Sequence, residues 1–236
     1  GLSEHKFGID LSHMHHVITL ADQLSYIDLR GLHFHIGSQM LLMDDFIALC
    51  KKINAIQDDL NAQGILVEHI NVGGGLGIDY ENPSKHPIPN FHEYFNVFKN
   101  NLCLRPHQQL HFELGRAVVG QCGRLITKVL YVKDNGNKKF VIVDAGMTEL
   151  IRPALYGAHH HIVNLSSKMP EEIYDIVGPI CESSDIFASN IMLPKTQRGD
   201  IIAIESAGAY GETMASCYNC RPLPIGYTTE DMMSVI

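Results

Sequence analysis

The sequence predicts an α/β segment followed by a mainly β segment, on three observations. Up to about residue 118, short strand-like runs alternate with stretches of helical spacing. Beyond Arg116 the pattern changes to RLITKVLYVK, the turn DNGNK and KFVIVDAG. This reads as an antiparallel hairpin in which Asn135-Gly136 supplies left-handed turn chemistry. GDIIAIE at 199–205 reads as one further strand. The expected division is an α/β part at 1–118 and a β-rich part at 119–236, with no internal repeat or low-complexity tract.

Taken in order, Met14, Val17, Ile18, Ala21 and Leu24 suggest a first helix, and GLHFHIG at 31–37 a short buried strand. Phe46, Leu49, Cys50, Ile53, Ile56 and Leu60 recur at helical spacing over 43–63, with Asp44 or Asp45 to cap the start and Gly64 to stop the end. ILVEHINVG at 65–73 is the next strand, which completes a βαβ unit and implies parallel strands. A helix over 91–102 and a strand over 108–113 follow.

The composition excludes several classes. Hydrophobic residues make up 45% and charged residues 19%, ordinary for a soluble globular chain. A net charge of -8 argues against a nucleic-acid partner. No apolar run approaches the roughly 20 residues that span a bilayer, so no membrane role is expected. GLSEHKFGID offers neither an initiator Met nor a signal-peptide core, which suggests a piece of a longer protein. Six cysteines without a secretory signal point to reduced thiols in the cytoplasm. Cys217 and Cys220 form an isolated CxxC, too little for a metal site, and His159-His160-His161 reads as a partly exposed helix or loop. No metal is expected.

Several residues carry chemistry. His35 and Ser38 stand at a strand end, where an imidazole can stack on a ring. Gly73-Gly74-Gly75, with Gly77, follows a strand directly and lets backbone N–H groups approach a phosphate. A dinucleotide fingerprint fails there, because its last glycine position is Ile78. Glu113 can keep a pyridine nitrogen protonated, and Arg116 can hold a phosphate or carboxylate. Arg152 and Tyr156, four apart, would face one way on a helix and could grip a carboxylate. Together with the Tyr210 phenol, the set suits a flat, phosphorylated, nitrogen-containing cofactor.

The strings HFHIGSQ, NVGGGLGIDY, ELGR, DAGMTELIRPALYG, GPICESSD and GAYGETMASCYN, in that order, closely resemble the pyridoxal-phosphate decarboxylases built on an alanine-racemase-like barrel, and among them the diaminopimelate decarboxylases. The resemblance implies the C-terminal part of a (β/α)8 TIM-type barrel followed by a mainly antiparallel β-domain, because the first half holds three or four βα units where a closed barrel needs eight. It implies pyridoxal 5′-phosphate as cofactor, with His35 stacked on the ring and Ser38, Gly73, Gly74, Gly75, Arg116 and Tyr210 around the phosphate. It assigns Glu113 to the ring nitrogen, Arg116, Arg152 and Tyr156 to substrate carboxylates, Glu182 to the distal amino group and Cys181 to proton donation. Cys181 and Glu182 are expected to reach the other subunit's site in a homodimer. Leu114 replaces the usual Pro of the ELGR string, and Ser184 a usual Gly. The role of His33 stays open.

The implied reaction is decarboxylation of meso-2,6-diaminopimelate to L-lysine, the last step of lysine biosynthesis. The family anchors its cofactor on a lysine of an early barrel strand, and no lysine here sits in that context. The chain alone is therefore expected to be inactive. Carboxynorspermidine, ornithine or arginine decarboxylases, and a non-catalytic regulatory homologue, are the alternatives. Retention of Arg152 and Tyr156 argues against the simpler diamine producers.

Overall fold

The structure, a computed structural model, describes residues 6–233. The chain forms two compact units, Gly1–Gly77 with Pro89–Ala117, and Ile78–Ile88 with Val118–Ile236. No helix among the described residues is long and apolar enough to cross a membrane.

The first unit is parallel α/β. It runs α1 (Met14–Asp22), β1 (Gly31–His33), α2 (Met43–Ala62), β2 (His69–Asn71), α3 (Phe91–Asn101) and β3 (Gln109–His111), with α4 (Gly115–Val119) at its end. The strands pair in parallel in the order β1-β2-β3. Leu32, Ile70 and Leu110 join a core with Phe46, Cys50 and Ile53 of α2 and Tyr94 and Phe98 of α3. Side chains alternate along a strand. His33, His69, Asn71 and His111 therefore project from the opposite face, and a polar face meets an apolar one across a single layer.

The helix boundaries follow local chemistry. Asn90 caps α3 by accepting the Glu93 N–H at 3.1 Å. Gly64, at φ +75°, ends α2 and donates to Asn61 O. Neither Asp44 nor Asp45 caps α2: Leu42 holds that position without a side-chain bond, and the two carboxylates lie in the first turn. There they favour the helix dipole instead. The ladders are also shorter than the apolar runs, three residues each, because the chain turns away at the glycine-rich ends.

The second unit is a six-stranded sheet built from β4 (Leu125–Asp134), β5 (Lys139–Val143), β6 (Ile162–Asn164), β7 (Glu171–Val177), β8 (Ile186–Pro194) and β9 (Ile201–Ile204). The order is β6-β9-β4-β5-β7-β8, antiparallel except for β5 beside β7. α5 (Arg152–Tyr156) and α6 (Thr229–Met233) are single short turns. The predicted hairpin is β4–β5. Only Gly136 takes positive φ, at +85°; the Asn135 side chain accepts the Asn137 and Lys138 amides instead. Val129, Val141, Val143, Ile176, Ile202 and Ile204 form the core. The architecture is thus a parallel α/β unit and a mainly antiparallel β-unit.

Candidate active site

In the first unit, the residues just beyond the three strands converge. Glu113 Oε1 accepts a hydrogen bond from Asn71 Nδ2 at 3.0 Å, and His33 Nε2 lies 3.2 Å from Oε2. Asn71 Oδ1 accepts the Gly73 N–H at 2.9 Å. A carboxylate only accepts and a peptide N–H only donates, so these two partners fix the orientation of the Asn71 amide. Gly73 and Gly75 have φ of +70° and +101°. A Cβ at Gly73 would stand 2.3 Å from Phe34 O, and at Gly74 2.2 Å from Glu113 O. The turn therefore admits no side chain. Arg116 Nη2 donates to Ser38 Oγ at 3.1 Å. His35 is exposed, and its Nδ1 would lie 3.0 Å from a Cβ at Gly73. His69 Nδ1 and His111 Nε2 meet at 2.9 Å on the same sheet face.

In the second unit, Arg152 is only 6% exposed. Its Nη1 donates to Tyr80 OH at 3.0 Å and to His160 Nε2 at 2.9 Å. A guanidinium has no acceptor, so His160 Nε2 is the lone-pair nitrogen. Nδ1 then carries the proton and donates to Glu205 O at 2.9 Å. Arg152 and Tyr156 stand at the two ends of α5; Tyr156 is 65% exposed, while Arg152 is turned inward to Tyr80 and His160. The histidine run is a partly exposed loop, as expected: His159 is exposed and His161 half-buried, and within it only His160 is buried.

Cys181 and Glu182 are exposed on the turn between β7 and β8. Asp185 organises that turn, its carboxylate accepting the Ile180 N–H at 2.8 Å and the Met147 N–H at 2.6 Å. Burial pushes the Asp185 carboxyl up, against the lowering effect of those amides. Glu182 Oε1 accepts the Tyr218 phenol at 2.6 Å, and this carboxylate pushes the phenol up. Tyr210, with Ser206 upstream, adopts left-handed φ, +67° and +57°. Such backbone is uncommon without glycine and concentrates at functional positions. All six cysteines are free thiols, including Cys217 and Cys220.

The sequence profile described as "Pyridoxal-dependent decarboxylase, C-terminal sheet domain" matches residues 16–208. The chain belongs to the pyridoxal-dependent decarboxylase family. It is 61% identical to a diaminopimelate decarboxylase of Bacteroides thetaiotaomicron, over 99% of this chain and 60% of that protein. It is 39% identical to one from Aquifex aeolicus, over 94% of this chain and 52% of that protein. A solved diaminopimelate decarboxylase from M. jannaschii in complex with L-lysine superposes with a TM-score of 0.84 at 36% identity, covering 95% of this chain and 52% of its own. The chain thus spans between half and two thirds of the length of these relatives.

Against this family background, sequence reasoning missed Asn71, Tyr80, His160, Asp185 and Tyr218 as site-building residues. Asn71 had a usable signal, an Asx side chain two residues before a turn glycine. Tyr80 and Tyr218 had none, since their partners lie 72 and 36 residues away along the chain.

Proposed function

We propose that the full-length protein is a pyridoxal 5′-phosphate-dependent carboxy-lyase that converts meso-2,6-diaminopimelate to L-lysine and carbon dioxide in the cytoplasm. The observation that carries this reading is the convergence, in one unit, of a side-chain-free glycine turn, the Ser38–Arg116 pair and a Glu113 carboxylate held by two partners. This donor set suits a phosphorylated pyridine. Ser38, Arg116 and the amides of Gly73, Gly74 and Gly75 would hold the phosphate together with the Tyr210 hydroxyl, and the His35 imidazole would lie on the ring. Glu113 would keep a proton on the ring nitrogen. When bound, the cofactor supplies the electron sink for the bond to the departing carboxylate.

The remaining roles belong to the second unit. Arg152 spends Nη1 on Tyr80 and His160, and its Nη2 and Nε edge would take the distal carboxylate in a bidentate grip, with Tyr156 as a second donor. Glu182, held by Tyr218, would bind the distal amino group. Cys181 Sγ would give the proton that replaces the lost carboxylate. In a homodimer, Cys181 and Glu182 would serve the site of the partner subunit. Residues 1–118 would close the barrel and 119–236 form the β-domain. In this reading, the cofactor-anchoring lysine would come from the part of the relatives' length that this chain does not span.

The test is carbon dioxide release by the full-length enzyme supplied with meso-diaminopimelate, ornithine, arginine or lysine, with L-lysine identified as the product from diaminopimelate. Turnover is expected on diaminopimelate alone. Equal turnover on ornithine or lysine would remove the assignment.

A further inference from the structure

We propose that Asn71 and His33 are positioning residues for the Glu113 carboxylate, and that Asn71 locks this carboxylate and the glycine turn into one rigid piece. The inference rests on the cofactor reading above and deepens it.

The Glu113 side chain is 53% exposed, so packing alone does not hold it. Two contacts from adjacent strands do. His33 on β1 and Asn71 on β2 are direct Cα partners, and each meets a different oxygen of Glu113 on β3's extension. The Asn71 amide uses both of its ends: Nδ2 on the carboxylate and Oδ1 on the Gly73 N–H. The backbone repeats the connection, since Glu113 N–H donates to Gly73 O at 2.8 Å. The groups meant for the two ends of the cofactor, phosphate and ring nitrogen, are thereby fixed to each other before anything binds. A half-exposed glutamate otherwise loses rotamer freedom on binding, and fixing it beforehand removes that cost. A site also needs such support around the groups that touch the ligand.

The full-length apoprotein should be titrated with pyridoxal 5′-phosphate and with its 1-deaza analogue, in which carbon replaces the ring nitrogen. Wild type is expected to prefer the natural cofactor. Asn71→Ser keeps an acceptor near the Gly73 N–H but is too short to reach Glu113. It should lower that preference by about tenfold, the effect of one charge-assisted hydrogen bond, with binding of the analogue changed less than about twofold. His33→Phe replaces a largely exposed side chain and leaves the turn alone; it should lower the preference about threefold, and it reports even where Asn71→Ser does not fold. Equal weakening of both ligands, or no change in preference in either variant, overturns the inference and leaves Asn71 a turn residue. Glu113→Gln is the control. Unchanged preference in that variant, or wild type that binds no pyridoxal 5′-phosphate, overturns the cofactor reading and the inference with it.

Discussion

In the proposed function, Arg152 divides one side chain between holding the fold and meeting a carboxylate. One end of its guanidinium is consumed by Tyr80 and His160, and the Tyr80 ring lies 5.1 Å from the guanidinium carbon. Arg152→Ala in the full-length enzyme is expected to raise KM for meso-diaminopimelate roughly 30- to 150-fold, the loss of a charge-assisted bidentate contact worth about 2–3 kcal/mol. The supporting shell separates from the binding edge through His160→Phe. That change leaves a buried guanidinium N–H and the Glu205 carbonyl without partners, and should cost about 2–3 kcal/mol in urea melts. Its effect on KM should be the smaller of the two. A KM change in His160→Phe as large as that of Arg152→Ala would mean that Arg152 meets no carboxylate and matters only through its packing.

At the scale of elements, the β7–β8 pair carries the turn with Cys181 and Glu182, and two aspartates hold it with opposite pH signatures. Asp175 lies at a register shift, where Asn190 on β8 takes φ +54°. Burial pushes the Asp175 carboxyl up, but Lys138 Nζ at 2.6 Å and the Asn190 amide outweigh it and leave it below the usual 3.8. Its contribution is therefore present above pH 3.8 and lost as pH falls through the depressed folded value. Asp185 is raised, so its contribution is full below pH 3.8 and declines as pH rises through the folded value. Asp175→Asn should destabilise the protein by about 1–2 kcal/mol at pH 7, a figure discounted because Lys138 is half exposed. Denaturant melts at pH 7, 5 and about 2.5 should show the gap to wild type narrowing at the acid end. A gap that is constant with pH would assign the loss to shape and not to charge.

The same elements show what the sequence could and could not reveal. Periodicity located α2, α3, the parallel strands and the β4–β5 hairpin, because burial of Phe46, Ile53, Tyr94 and Phe98 imposes a spacing that survives in one dimension. The glycine turn was legible because only glycine tolerates its φ and its approach to Phe34 O and Glu113 O. The inward turn of Arg152 at the start of the single-turn α5 was not legible. With five residues, its orientation is set by distant Tyr80 and His160 and not by its own pattern. Asp185 was invisible for the same reason, since the Met147 amide it holds is 38 residues away.

For the whole molecule, the proposed roles of Cys181 and Glu182 set the unit of activity. Both are exposed on a turn of the β-domain, away from any core that would bury an inert thiol. If they serve the partner's site, each active site draws on two chains and the working unit is a two-fold dimer. Two differently inactivated full-length proteins should then complement each other. A Cys181→Ala subunit mixed with one lacking the cofactor-anchoring lysine has no activity in either homodimer. About half of the freely reassorted molecules are heterodimers, and each holds one composite site with both functional halves, so recovery should approach about a quarter of wild type. Were each site built from one chain only, every site in the heterodimer would keep its own defect, and no mixing ratio would restore turnover. Activity measured alongside subunit exchange therefore separates the two arrangements, and exchange without recovery would place Cys181 in its own subunit's site or outside catalysis.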